Sequence, residues 1–163
     1  MSSNTDHDLS TALSGAELVF SGSLSLLPPS TNRAYRSTPR GVMKSSETRR
    51  FEAKAKAELL RGLAFDAEPI DENQPHILDL HFYFAALENK GWPGSAKRRY
   101  KRKDTSNYVK ITEDVVAEVL GVDDSCFLTQ VNRKSQRDEE GVDIKLWRLP
   151  WQQKNAPQPS SDT

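Results

Sequence analysis

The stretch KRRYKRKDTSNYVKITEDVVAEVLGVDDS, from Lys97 to Ser125, constrains this chain more than any other. Between Lys97 and Lys103 only Tyr100 is uncharged, so the segment opens as a block of positive charge that favours solvent. It then passes Asp104 at a helix entrance, continues as an amphipathic helix carrying Lys110 and an acidic pair, and ends in the second pair Asp123 and Asp124. Phosphodiester chemistry needs these ingredients: cations to hold a polyanion, and carboxylates from separate elements to hold a hard divalent metal.

The helix can be tested by angle. At ~100° per residue, a helix from about Thr105 to Leu120 places Tyr108, Ile111, Val115 and Val119 in one narrow arc, the side expected to pack on a sheet. Ser106, Lys110, Glu113 and Ala117 fall opposite, with Asn107 and Asp114 at the margin, so this polar stripe is expected to be exposed. Lys110 lies one turn from Ser106, Glu113 and Asp114. Each part also has a plain structural explanation: a salt-bridged outer face, Asp104 or Thr105 as a helix cap, Asp123 and Asp124 as turn residues, the basic run as a solvated loop. Their coincidence in one segment is what points to a metal-dependent nuclease.

Leu18, Phe20, Leu24 and Leu26 alternate with smaller or polar residues and predict a strand ending at Pro28 and Pro29. PPSTNRAYR is then a stiff loop, either an ordinary turn or, through Asn32, Arg33, Tyr35 and Arg36, a source of phosphate or base contacts. Val42 to Lys44 suits a short second strand. Ser45 or Ser46 caps a helix from about Glu47 to Leu63, with Phe51, Ala55, Leu59 and Leu60 as its apolar stripe and Arg49, Arg50, Lys54 and Lys56 as a solvated basic face. His76 to Ala86 is the clearest strand, with Leu78, Leu80, Phe82 and Phe84 on one side and His81, a structural histidine, on the other. Phe127 to Arg133 and Val142 to Trp147 read as two strands joined in a hairpin through the Asp138 to Gly141 turn. The order β-(β)-α-β-α-β-β predicts an α+β fold: a single small domain with a mixed sheet of about four to five strands and two helices.

At 163 residues the chain fits one such domain, spanning 16–149, between polar tails at 1–15 and 150–163 that are expected to be disordered. Lys+Arg 23 against Asp+Glu 23 cancel, so nucleic-acid binding must be read from where the charges lie rather than from their sum. Cys126 is the single cysteine, which excludes an intrachain disulfide and makes a reducing cytoplasm the expected compartment. No apolar run approaches a membrane span.

LLPPSTNRAYR, then KDTSNYVKITEDVV, then VDDS, together resemble the RusA family of Holliday junction resolvases, common in bacteriophages and prophages. That family has a proline-proline-serine-x-asparagine loop after its first strand, a basic-D-x-D-N-x-x-K motif opening a helix, and an aspartate pair after it. The resemblance spans about Leu24 to Trp147. It implies that Asp104 and Asp124 are metal ligands for Mg²⁺ or Mn²⁺, with Asp123 and Glu113 as further candidates. It also implies that Lys110 serves cleavage and that Asn107 and Asp114 support the site. Ser106 departs from the pattern, a neutral hydroxyl where the family has its second catalytic aspartate, and Glu113, two turns along the same face, is placed to restore that charge. Lys97, Arg98, Arg99, Lys101, Arg102 and Lys103, with Asn32, Arg33 and Arg36, would hold branched DNA, and two symmetric cuts imply a homodimer. The competing readings are a non-catalytic DNA-branch binder that has lost metal through Ser106, and an interaction protein that does not touch nucleic acid.

Overall fold

In the strand His76–Phe84 every residue but His81 is buried, Asp79 included, as suits a strand in the middle of a covered sheet. The computed structural model describes residues 13–63 and 67–150, so both expected tails lie almost wholly outside the described residues. In chain order its elements are β1 (Glu17–Leu24), α1 (Thr31–Ala34), β2 (Tyr35–Thr38), β3 (Gly41–Lys44), α2 (Ser46–Gly62), β4 (His76–Phe84), α3 (Ser106–Leu120), a single 3₁₀ turn (Asp124–Cys126), β5 (Phe127–Gln136) and β6 (Gly141–Arg148). The main sheet has the order β1-β6-β4-β5, antiparallel except between β4 and β5. The α+β class, the single domain and the mixed sheet are as the sequence predicts.

The expected hairpin of the last two strands does not form. β4 lies between β5 and β6, pairing Leu80 with Asn132 on one side and with Ile144 on the other. The physical reason is composition. HILDLHFYF loses least by giving up water on both edges, whereas FLTQVNRKSQ carries polar and cationic side chains that suit an edge strand. The connection after β5 crosses the end of β4, where the Arg137 amide donates to the Phe84 carbonyl at 3.1 Å. β6 then starts at Gly141, where a Cβ would come within 2.4 Å of the Leu24 carbonyl oxygen, so β1 and β6 can meet this closely only at a glycine.

The second expected strand forms but stays outside the main sheet: β3 pairs with β2 as a separate two-stranded ribbon, leaving Val42 and Met43 exposed. The PPS loop is not all loop, since its end turns once as α1. Ser45 caps α2 by accepting from the Thr48 amide at 3.2 Å, and Thr48 Oγ1 donates back to the Ala34 carbonyl at 2.9 Å, fastening α1 to α2. Thr48, Phe51, Ala55 and Leu59 form the buried side of α2, while Leu60, expected in that stripe, is 56 % exposed because it lies a full 100° step beyond Leu59.

α3 packs its Tyr108 ring against Phe84 and Phe82, with centroids 5.6 and 6.1 Å away, so Leu78, Leu80, Phe82 and Phe84 face the helix as predicted. Its buried side is wider than the predicted arc: Val109, Thr112, Val116 and Ala117 are buried beside Ile111 and Val115. The stripe expected to be exposed is therefore partly covered. One flank of α3 is tied to α2, with Lys56 Nζ 2.6 Å from Glu118, and the other to β5, where Gln130 Nε2 donates to Glu113 at 2.7 Å. Among the described residues no helix is long and apolar enough to cross a membrane.

Candidate active site

The first turn of α3 is organised by Asp104. Its Oδ1 accepts from the Ser106 amide at 3.1 Å and from the Ser106 hydroxyl at 2.8 Å, satisfying an orphan donor of the helix start. These two bonds hold the Asp104 carboxyl below the ordinary aspartate range, with Lys134 adding a weaker pull. Ser106 thus acts here as a donor to Asp104, where an aspartate would repel it. The Asn107 amide donates to the Asp104 carbonyl at 3.3 Å and completes the turn.

One helical turn on, the Lys110 ammonium lies 2.5 Å from Asp124, 2.9 Å from Asp114 and 3.7 Å from Glu113. The hydrogen bond to Asp124, and then that to Asp114, raises the Lys110 pKa well above the ordinary lysine range. Gly121 makes this possible: at φ 67° it ends α3 in the left-handed region, where glycine is favoured, and turns the chain so that Asp124 comes back beside Lys110. Asp123 points elsewhere. Its Oδ1 caps the 3₁₀ turn by accepting from the Ser125 amide at 2.9 Å, and the Ser125 side chain first, then this amide, lowers its pKa. Glu113 is mostly buried, and burial pushes its carboxyl up despite the nearby ammonium.

The basic run forms the returning arm of a loop. Residues around Glu88 and Tyr100 bridge as in a ladder, and the Lys101 amide donates to the Leu87 carbonyl at 2.7 Å. Arg99 pairs with Glu88 at 2.9 Å and stands over the Tyr100 ring, while Lys97, Arg98 and Arg102 are exposed. Lys103 places its Nζ 5.7 Å from the centroid of the Phe84 ring. In the segment after the prolines, Asn32 and Arg36 are exposed, and Arg33 meets Glu47 at 3.2 Å. The chain matches the family model of the endodeoxyribonuclease RusA over residues 27–147.

The chain belongs to the RusA endodeoxyribonuclease family.

No curated protein matches it. The RusA match starts after β1 and ends within β6, so it contains the PPS loop, the basic arm, α3 and the acidic pair. Lys110 gathers Glu113, Asp114 and Asp124, whereas Asp104 with Ser106 and Asp123 with Ser125 form separate small arrangements. Among the described residues no group of three His, Cys, Asp or Glu side chains lies close enough to hold a metal. The donor chemistry nevertheless fits a hard cation, because these are all carboxylate oxygens, and magnesium commonly takes one or two carboxylates and completes its shell with water and substrate phosphate.

Three residues of the site were not legible in the sequence. Gln130 holds Glu113, Lys134 Nζ donates to the Lys103 carbonyl at 2.8 Å, and Glu72 accepts from the Asp123 amide at 3.1 Å. Gln130 and Lys134 sit on β5, whose position beside α3 follows from the strand order and not from any local pattern.

Proposed function

We propose that the protein resolves four-way DNA junctions by paired symmetric phosphodiester cuts, with Mg²⁺ or Mn²⁺ held through Asp104 and Asp124 and with Asp123 or Glu113 as a further ligand. What carries this reading is the ammonium of Lys110, fixed between Asp114 and Asp124 behind a cationic arm in a chain of an endodeoxyribonuclease family. When bound, such an ion polarises the scissile phosphate and lowers the pKa of an attacking water. Lys110 supplies a preoriented positive charge for the oxygen that becomes negative as the bond breaks. The arm and the PPS loop hold the strands, and two cuts related by symmetry call for a C2 homodimer.

Incubating the protein with a mobile four-way junction, with and without Mg²⁺, tests this. Metal-dependent paired nicks support it, and intact junctions in Mg²⁺ or Mn²⁺ overturn it. The second reading, a branched-DNA binder without cleavage, draws on the Ser106 hydroxyl standing where the family has a carboxylate; retention of uncut junction in both conditions would favour it. If Glu113 supplies the charge that Ser106 lacks, Glu113→Gln loses cleavage and Ser106→Asp restores part of it.

A further inference from the structure

By sequence, the cations of α2 form one solvated face. The structure divides them. Lys56 is bound to Glu118, and Arg49 and Arg61 point to open solvent, but Arg50 and Lys54, one helical turn apart, line a groove of about 460 Å³. The same groove is lined by Arg33 of α1 and by Lys103 at the end of the basic arm. Four cations from three elements therefore face one cleft, against the two acids Glu47 and Glu140. Glu47 is engaged with Arg33 in an exposed pair, which solvent makes weak and easily exchanged for another anion. Among the described residues, neither Arg50 nor Lys54 has an acidic partner. The floor is apolar, formed by Pro28, Pro29 and Phe51, all buried, beside the half-buried Tyr108.

We infer that this groove binds the sugar-phosphate backbone of one DNA strand, with Arg50 and Lys54 as phosphate-binding residues. The inference rests on DNA being the substrate, as proposed above, and adds a subsite to it. The chemistry fits in two ways. Guanidinium and ammonium groups from separate elements are matched to a line of phosphodiesters, with Arg50 able to bind one bidentately. The apolar floor excludes water beneath the charges, which strengthens each interaction, and offers the sugar faces a surface to lie on. Because Lys103 belongs both to this groove and to the chain entering Asp104, a strand seated here is led directly to the first turn of α3. Such interactions set register and orientation on the DNA without reading its sequence.

The test compares two charge-matched double variants of the full chain, Arg50→Ala with Lys54→Ala, and Arg49→Ala with Arg61→Ala. Junction binding is followed by fluorescence anisotropy in EDTA across a range of salt. The groove pair is expected to flatten the slope of log affinity against log salt by about 0.9 for each duplex phosphate it no longer neutralises, which is roughly eightfold in affinity per phosphate at 0.1 M salt. The control pair, equally exposed on the same helix, is expected to leave the slope unchanged. Wild-type affinity and slope in the groove pair overturn the inference, and so does an equal loss in both pairs, which would mean a diffuse field and no groove. If the unaltered protein binds no junction at all, the proposed function fails first and the groove fails with it, whereas a wild type that binds beside a silent groove pair rejects the groove alone.

Discussion

Around Lys110 three carboxylates share one ammonium, whereas on the opposite face of β4 two carboxylates meet two guanidiniums. In the second cluster Asp79 receives Arg133 at 2.8 Å and 3.0 Å, and Asp143 receives the Tyr83 hydroxyl at 2.7 Å with Arg137 at 3.9 Å. The Arg137 guanidinium also lies 3.6 Å from the Tyr83 ring centre. Because Tyr83 donates to Asp143, its oxygen takes the Nδ1 proton of His81 at 3.0 Å, which leaves His81 Nε2 to accept from Ser135 at 2.7 Å. Burial keeps the His81 pKa low, in agreement with this neutral tautomer. Every charge there has its counter-charge and nearly every bond a direction, the arrangement of a network that fixes three strands together. The Lys110 cluster has two negative charges unbalanced and is partly open to water. An excess of that kind works against folding unless a cation arrives with the substrate.

The largest effect expected from this contrast is on cleavage. Asp124→Asn removes a carboxylate from the unbalanced cluster and should slow junction cutting by more than about 100-fold, in line with the several kcal/mol a Lewis acid contributes. Junction binding should persist or tighten, since a charge that repels phosphate is gone, and the urea midpoint should move little because an exposed pair contributes at most about 1 kcal/mol. Cutting at the wild-type rate would remove Asp124 from the site. Asp104→Asn is expected to behave in the same way.

Asp79→Ala should give the opposite pattern. It leaves Arg133 without its partner against a mostly buried position, and with Arg133 itself about one-third exposed the cost should be about 2–3 kcal/mol, below the value for a wholly buried pair. Urea unfolding checks the loss, and the molecules that remain folded should cut junctions normally. A stable variant that has lost cleavage would show that the balanced network also serves the reaction.

These two clusters were not equally legible. Lys110, Asp114 and Asp124 lie within fifteen residues of sequence, the first two on a helix whose limits the spacing predicts within a residue and the third just past its end, which Gly121 and the acidic pair mark. The second cluster needs β4 to stand between β5 and β6, a pairing of segments about sixty residues apart, and the sequence signals for a hairpin are local ones. His81 consequently reads as a histidine without a partner, although Ser135 and Tyr83 both bond it. The same limit explains Glu113: an angular projection ranks residues around a helix but does not say that β5 lies along one flank. For Leu60 the buried stripe of the helix is simply narrower than the projection implies.

A smaller effect is expected from Tyr83→Phe, which keeps the ring under Arg137 and deletes the hydroxyl that joins His81 to Asp143. The cost should be about 1 kcal/mol, one net hydrogen bond, because Asp143 retains Arg137. Thermal or urea unfolding measures it, and the His81 pKa by NMR should shift as its Nδ1 loses an acceptor. A neutral substitution would mean that the network is held by its ion pairs alone.

The smallest effect is one of sign. Burial raises the Glu113 carboxyl above its ordinary value of 4.5, so the folded state holds this proton more tightly than the unfolded chain. A raised acid contributes its full stability below the unfolded value and loses it as pH rises through the folded one. At neutral pH Glu113 is thus a mild liability, tolerated because Lys110 and Gln130 stand beside it. Glu113→Gln keeps an oxygen for Gln130 to donate to and removes the charge, so it should be slightly more stable than wild type at pH 7 and no more stable at pH 4. Urea midpoints at the two pH values decide this. A variant less stable at pH 7 would mean that Lys110 outweighs burial, and that the three carboxylates around it are balanced more closely than their charges suggest.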